Sequence, residues 1–266
     1  MTEWNAPGYA RIAALQEAMA DEVLTLLELE GTERVLDLGC GNGKVTAAIG
    51  ARVPGGEVVG IDSSADMIAF ASSHFPAASR PNLHFEAHDI RHLPFRDEFD
   101  LVVSFNALHW IPDQQKALVS ICSAMKPEGH AQLRLVPAGK RKSLENVIEE
   151  TRLSMRWIRY FQTFRDPYLH LTPDEYALLA EQNGLRVRRL HPSDKAWDFK
   201  SRAAFEAFGS VTFVEWTKFL PESERLAFVN DVLDRYQQVA AEHAGEENVF
   251  RFYQMDITLS RGFSAT

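Results

Sequence analysis

Cysteine is nearly absent from this 266-residue chain: Cys40 and Cys122 are the only two, so no disulfide framework is available and nothing points to an oxidising compartment. Long apolar runs are missing as well. None approaches the roughly eighteen to twenty residues of a membrane-spanning helix, so no span is expected. The segment Met1-Thr2-Glu3-Trp4-Asn5 lacks a basic stretch followed by an apolar one, so no secretory signal is expected and the cytoplasm is the expected location. Basic charge is in deficit. A formal net charge of -9 argues against a general nucleic-acid binder. There is no Gly-x-Ser-x-Gly elbow, no Gly-x-x-x-x-Gly-Lys-Ser/Thr loop, no internal repeat and no low-complexity tract. His84, His88 and His92 recur every four residues, but they lie across a predicted strand and its exit. That spacing gathers side chains only on a helix, so no metal is expected.

What is present is a hydrophobic fraction of 45%, ample for a core. Residues 10–29 read as an amphipathic helix. Strand candidates follow at 34–38, 57–61, 82–86, 100–104 and 130–136, with helices near 43–51, 64–73 and 114–125 between them. This βαβ series predicts a parallel sheet with right-handed crossovers. Beyond Pro137 the texture changes. A long helix is predicted over 140–162, a capping box at Thr172-Pro173-Asp174-Glu175 opens another, and Asn183-Gly184 closes it. A strand at 185–191, a mostly helical, aromatic-rich stretch over 201–240 and a final strand at 249–259 complete the reading. The expected fold is α/β: a seven-stranded, mostly parallel, Rossmann-like sheet with helices on both faces and a helical cap over its carboxyl edge. One domain over 1–266 is expected. Residues 33–137 would form the cofactor-binding core, with 1–30, 138–170 and 198–245 as cap and substrate-pocket segments.

The chemistry concentrates at Val35-Leu36-Asp37-Leu38-Gly39-Cys40-Gly41-Asn42-Gly43, an apolar strand running into a glycine-rich turn. The dinucleotide fingerprint Gly-x-Gly-x-x-Gly fails here, because Lys44 stands where its third glycine belongs. The glycines instead occupy alternate positions 39, 41 and 43, letting backbone pass close to a ligand. Asp37 decides the sign. A pyrophosphate is a poor neighbour for a carboxylate, whereas an ammonium or sulfonium is a good one, which favours S-adenosylmethionine over a nicotinamide cofactor. Asp62, nineteen residues beyond Gly43, is placed to accept from ribose hydroxyls. Asp89 is placed to accept from an adenine amino group, with Ile90 as an apolar contact. Acids also commonly mark strand ends and turns, so each taken singly is weak. Cys40, Ser63 and Ser104 complete the candidate cofactor set. Cys40 is a small turn residue rather than a nucleophile.

With these residues in view, the chain resembles the class I S-adenosylmethionine-dependent methyltransferases, most strongly over about residues 33–137. The run Phe99-Asp100-Leu101-Val102-Val103-Ser104-Phe105-Asn106-Ala107-Leu108-His109-Trp110 and Met125-Lys126-Pro127-Glu128-Gly129 resemble the branch that includes trans-aconitate and juvenile hormone acid methyltransferases, which make methyl esters. The resemblance implies that Asp37, Gly39, Gly41, Asp62 and Asp89 hold the amino-acid end, ribose and adenine in turn, leaving S-adenosylhomocysteine as product. It implies transfer to a small molecule, to oxygen and possibly a carboxylate. The rivals are a natural-product enzyme acting on phenolic oxygen, nitrogen or carbon, and a non-catalytic S-adenosylmethionine-binding protein.

His109 is the candidate catalytic base, its alternative a hydrogen-bonded structural histidine. Tyr9, Gln16, Asn106, His109, Trp110 and Trp157 are the candidate acceptor-site residues. Trp110 reads equally as pocket wall and as packing, and Gln16 as a carboxylate donor or a solvent-facing helix residue. Arg152, Arg156 and Arg159 read mainly as a wet helix face paired with Glu145, Glu149 and Glu150. Phe164, Trp197, Phe205, Phe208, Phe213, Trp216 and Phe219 suit a large apolar acceptor and a helical core alike. Monomer and homodimer both stay open.

Overall fold

The computed structural model describes Leu15 and residues 18–262. Tyr9 and Gln16 lie outside the described residues. The chain divides into two compact units. The sheet unit comprises Ala20–Pro137, Leu169–Ser193 and Gln254–Thr266; the helical unit comprises Met1–Met19, Ala138–Tyr168 and Asp194–Tyr253. Residues 18–25 are helical and form α1. No helix among the described residues is long and apolar enough to cross a membrane.

In the sheet unit, β1 (Arg34–Leu38), α2 (Lys44–Arg52), β2 (Glu57–Asp62), α3 (Ala65–His74), β3 (Leu83–Ala87), β4 (Phe99–Phe105), α4 (Gln114–Ala124) and β5 (Met125–Leu135) alternate. The capping box does open a helix, α6 (Pro173–Gln182), which follows α5 (Leu144–Arg152) of the helical unit. Strands β6 (Leu185–Asp198) and β7 (Val249–Arg261) complete a seven-stranded sheet of order β3-β2-β1-β4-β5-β7-β6. β1 pairs in parallel with β2 and β4, β2 with β3 and β4 with β5, while β7 runs antiparallel to β5. This is the mostly parallel, Rossmann-like sheet flanked by helices that the βαβ pattern predicts.

The central strands are largely apolar because both faces are covered. Leu36, Leu38, Val59, Ile61 and Val102 belong to one core with Leu118 and Ile121 of α4 and Tyr176 of α6. The alternate residues Val35, Val58, Leu101 and Val103 belong to a second core with Ala47 and Ile49 of α2. That is the period-two alternation of a strand read on both sides at once.

Two departures from the sequence expectation have a clear cause in hydrogen bonding. The helix predicted over 140–162 stops at Arg152, because Ser154, Trp157 and Phe161 N–H groups turn to carbonyls three residues back. β6 continues through Pro192 because it is an edge strand, where a missing N–H costs no ladder bond. The stretch over 201–240 is mostly helical as expected, divided into α7 (Arg202–Thr212), α8 (Val214–Thr217) and α9 (Glu222–Ala240), with Pro221 at the N-cap of the last.

One polar contact inside the sheet had no sequence signal. Arg134 and Asp256 sit directly opposite in the β5–β7 register. The Arg134 side chain is fully buried, and its Nε and Nη2 donate to the two Asp256 oxygens at 2.7 and 2.9 Å. Glu22 adds a third carboxylate oxygen 3.3 Å from Nη1. Removing the main partner of a buried charge costs more than the pair itself contributes. Asp256→Ala is therefore expected to lower unfolding free energy by about 3 kcal/mol in urea titrations; a loss below about 1 kcal/mol would show that Glu22 alone suffices.

Candidate cofactor site

The order of the sheet reverses at β1 and β4. The chain winds outward through β2 and β3 on one side and through β4 and β5 on the other, so the loops leaving β1 and β4 diverge and open a crevice at the carboxyl ends. A cavity of about 460 Å³ lies there, lined by Gly39, Asp62, Ser63, Asp89, Ile90, Arg91, Asn106, Ala107, Trp110, Ile111 and Pro112. Residues following β1, β2, β3 and β4 thus meet on one volume.

The glycine turn is shaped by close approach. A Cβ on Gly39 would stand 2.3 Å from the Ala107 Cβ, and its φ of +76° is left-handed. At Gly41 a Cβ would meet nothing within 4 Å. The first glycine lets two loops touch; the second leaves room beside the turn. The N–H groups of Gly39 and Cys40 donate to the Ile61 carbonyl, which fixes the turn to the end of β2.

Asp62 joins the turns further. Its Oδ2 accepts from the Gly41 N–H at 3.1 Å and its Oδ1 from the Ser64 N–H at 2.9 Å, leaving each oxygen a second lone pair. Asp89 caps the short turn Ile90–His92 and is held by the Arg91 guanidinium, with Nε 3.0 Å and Nη2 2.6 Å from Oδ2. The Arg91 hydrogen bond pulls the Asp89 carboxyl down to about 2, so it is ionised at every working pH. Asn106 takes a left-handed φ of +59°, and its buried Oδ1 has no hydrogen-bond partner. The lining therefore offers acceptor oxygens, two carboxylates and a single guanidinium already bound to one of them.

Several sequence candidates stand elsewhere. Asp37 lies beneath the turn, only 3% exposed, and is not on the cavity wall; its Oδ2 accepts from Thr46 Oγ1 at 2.7 Å. Ser104 is fully buried and donates to the Leu38 carbonyl, so its hydroxyl ties β4 to β1 and does not face the cavity. Cys40 is buried and off the wall, and burial pushes its thiol well above the ordinary range, which removes thiolate chemistry. Trp157 belongs to the core of the helical unit, fully buried, with Nε1 donating to Asp231 at 2.7 Å. Arg152 pairs with Glu149 as expected, but both side chains are largely buried and Arg156 and Arg159 lie beyond the helix, so the three do not form one wet helix face.

His109 requires the largest revision. Its ring is 4% exposed and is absent from the cavity wall. Its Nδ1 accepts from the Val136 N–H at 3.3 Å, so the neutral ring carries its proton on Nε2 and the basic lone pair is spent. Burial pushes the imidazole down to about 3, keeping it neutral. Its neighbour Trp110 does line the cavity, on the turn Leu108–Trp110. Gln114, which sequence reasoning missed, pins that turn: its buried amide donates to the Leu108 and Ile111 carbonyls, both at 2.6 Å. Arg91 was also missed, although it directly follows the Asp89-Ile90 pair.

Burial pushes the Asp37 carboxyl up to about 6, with nearby Asp62 adding to the shift and Thr46 opposing it. A raised acid means that the fold holds its proton more tightly than the unfolded chain does. Stability contributed by Asp37 is therefore full below about pH 4 and is lost as pH rises through about 6. Asp37→Asn keeps an acceptor for Thr46 and removes the charge. At pH 8 it is expected to stabilise the ligand-free protein by up to about 3 kcal/mol, and at pH 4 by far less. Equal denaturant midpoints for variant and wild type at pH 8 would contradict this.

Known proteins place the same features in a family. The sequence matches a family model described as a methyltransferase domain over residues 35–129. A trans-aconitate 2-methyltransferase of Deinococcus radiodurans is 30% identical over 268 residues, covering 97% of this chain and 98% of that protein. An Escherichia coli protein of the same name is 32% identical over 166 residues, a match spanning 62% of this chain and 61% of the relative. Among solved structures, YcgJ of Bacillus subtilis superposes with a TM-score of 0.67 at 17% identity, over 93% of this chain and all of that one, a likeness of fold. With 30% identity to a methyltransferase over nearly the full length added to the seven-stranded sheet and its glycine turn, the chain belongs to the class I S-adenosylmethionine-dependent methyltransferase family.

Proposed function

We propose that the cavity at the β1/β4 divide holds S-adenosylmethionine and that the methyl group goes to an oxygen of a small molecule, a carboxylate in the first instance. The observation that carries this reading is the meeting of Gly39, Asp62, Asp89, Ile90, Asn106, Ala107 and Trp110 on one cavity. The residues fit a cationic nucleoside on three counts. Space lies open beside Gly41, the buried Asn106 Oδ1 is an acceptor without a donor, and the one cavity guanidinium is already bound to Asp89. When bound, S-adenosylmethionine supplies a methyl group already activated by positive sulfur. Asp62 would accept from the ribose, Asp89 and Ile90 would border the adenine, and the open side of Gly41 with Asn106 would receive the amino-acid end, with Ser63 at the rim.

The protein's remaining task is to hold the acceptor in line and keep water out. Trp110 and Ile111 supply an apolar wall for that purpose. The proposed chemistry asks for no base. His109 is buried with its lone pair spent, and Asp89 near 2 is too acidic to take a proton from a phenol or an amine. A carboxylate acceptor is already ionised and needs neither. The name of the Deinococcus relative, which denotes methylation of trans-aconitate, supports the same acceptor class. In this reading His109 is a positioning residue: its ring and carbonyl hold Val136 and Leu169 beside the turn that bears Trp110.

The test is transfer of radiolabelled methyl to panels of carboxylic acids, phenols and amines. The expected product releases its label as volatile methanol on alkaline treatment, and turnover is expected to vary little above about pH 6. A base-stable product, or turnover that climbs steadily toward pH 9, would replace the carboxylate with a protonated acceptor.

A further inference from the structure

The helical unit carries a feature that methyl transfer does not use. After α5 the chain makes a tight turn and a single 3-10 turn at Ile158–Tyr160. Met155 is 96% exposed, Leu153 53% and Ile158 47%, three large apolar side chains within six residues. Arg156 and Arg159 are exposed among them, and neither forms an ion pair among the described residues. Their guanidinium carbons instead lie over the rings of Trp157 and Tyr160, at 4.3 and 4.7 Å. From Thr151 to Arg165 the sequence has four arginines and no acid, in a chain whose formal net charge is -9.

The turn is also rigid. The Ser154 N–H donates to Thr151, and those of Trp157 and Ile158 donate to the Ser154 carbonyl. The Trp157 ring anchors the turn from below, edge-on to Phe228 and hydrogen-bonded to Asp231. The exposed side chains are therefore presented on a fixed platform, and binding through them would cost little ordering entropy. We propose that this Leu153–Arg159 turn docks on an anionic lipid bilayer. Apolar tips entering the acyl boundary, with arginines at headgroup level beside aromatic rings, match the chemistry of an interfacial anchor. Three side chains fall well short of the roughly 1,000 Å² that a stable protein partner buries, whereas a bilayer needs no matching contour. The charge pattern sets orientation: the acidic remainder of the chain is repelled by the same surface that attracts the turn. This proposal is independent of which acceptor the cavity takes.

The experiment is flotation of the full chain with vesicles of phosphatidylcholine alone or mixed with phosphatidylglycerol, at low salt and at about 0.5 M. The expected result is binding to the anionic vesicles at low salt, weakened by high salt. Met155→Asp and Arg156→Glu are each expected to reduce partitioning by about tenfold or more. Both variants should keep the wild-type melting temperature and S-adenosylmethionine affinity. Equal binding to the two vesicle types, no binding to either, or anionic binding that both variants retain would overturn the proposal. So would concentration-dependent self-association that Met155→Asp abolishes without any vesicle binding, which would assign the turn to a second copy of this chain.

Discussion

Everything at the candidate site depends on one constraint of the sheet: β1 and β4 are neighbours, but the chain leaves them in opposite directions. Two parallel strands whose connections diverge cannot be closed over at their carboxyl ends, so backbone polar groups there must find partners other than a crossover. The turn after β1 solves this by leaning on β2. Gly39 and Cys40 donate to Ile61, and Gly41 donates to the Asp62 carboxylate. Because β1, β2 and β4 are buried on both faces, a slip of register would move apolar side chains out of one core or the other, so their strand ends are fixed relative to one another.

The electrostatics follow from the same arrangement. Burial of Asp37 inside the sheet, with Asp62 nearby, raises its pKa, so its charged form is unfavourable there. Asp89 is the opposite case. It sits at the rim with Arg91 across both oxygens, remains ionised, and cancels the one positive charge that the described residues place on the wall. The three acids make the end of the sheet a place for positive charge, and the buried neutral His109 adds none. That sign distinguishes a sulfonium nucleoside from a dinucleotide whose pyrophosphate requires donors rather than carboxylates.

The strands and the glycine turn were legible because local rules agree there. An apolar run of fixed length, a turn of alternate glycines and an acid at the next strand's end each point to the same geometry. Side chains whose role depends on distant partners were not. Arg134 and Asp256 are 122 positions apart and meet only through the β5–β7 register. Ser104 was read as facing a ligand, yet its hydroxyl reaches the Leu38 carbonyl 66 positions away. Trp157 and His109 carry the residue types of a binding site, but Asp231 takes the indole N–H of one and Val136 occupies the imidazole of the other. The strand expected over 185–191 runs on through Pro192, because a proline interrupts a ladder only where its N–H is needed, and the edge position of β6 is a property of the whole sheet.

In the function proposed for this chain, the acidic cavity at the β1/β4 divide receives a sulfonium nucleoside through Asp62. The most direct measurement is calorimetric titration of wild type and Asp62→Ala with S-adenosylmethionine at pH 7.5. About micromolar affinity is expected for the wild type, with a loss of more than about tenfold in the variant. Absence of binding to folded wild-type protein, or equal affinity in the two proteins, would contradict it.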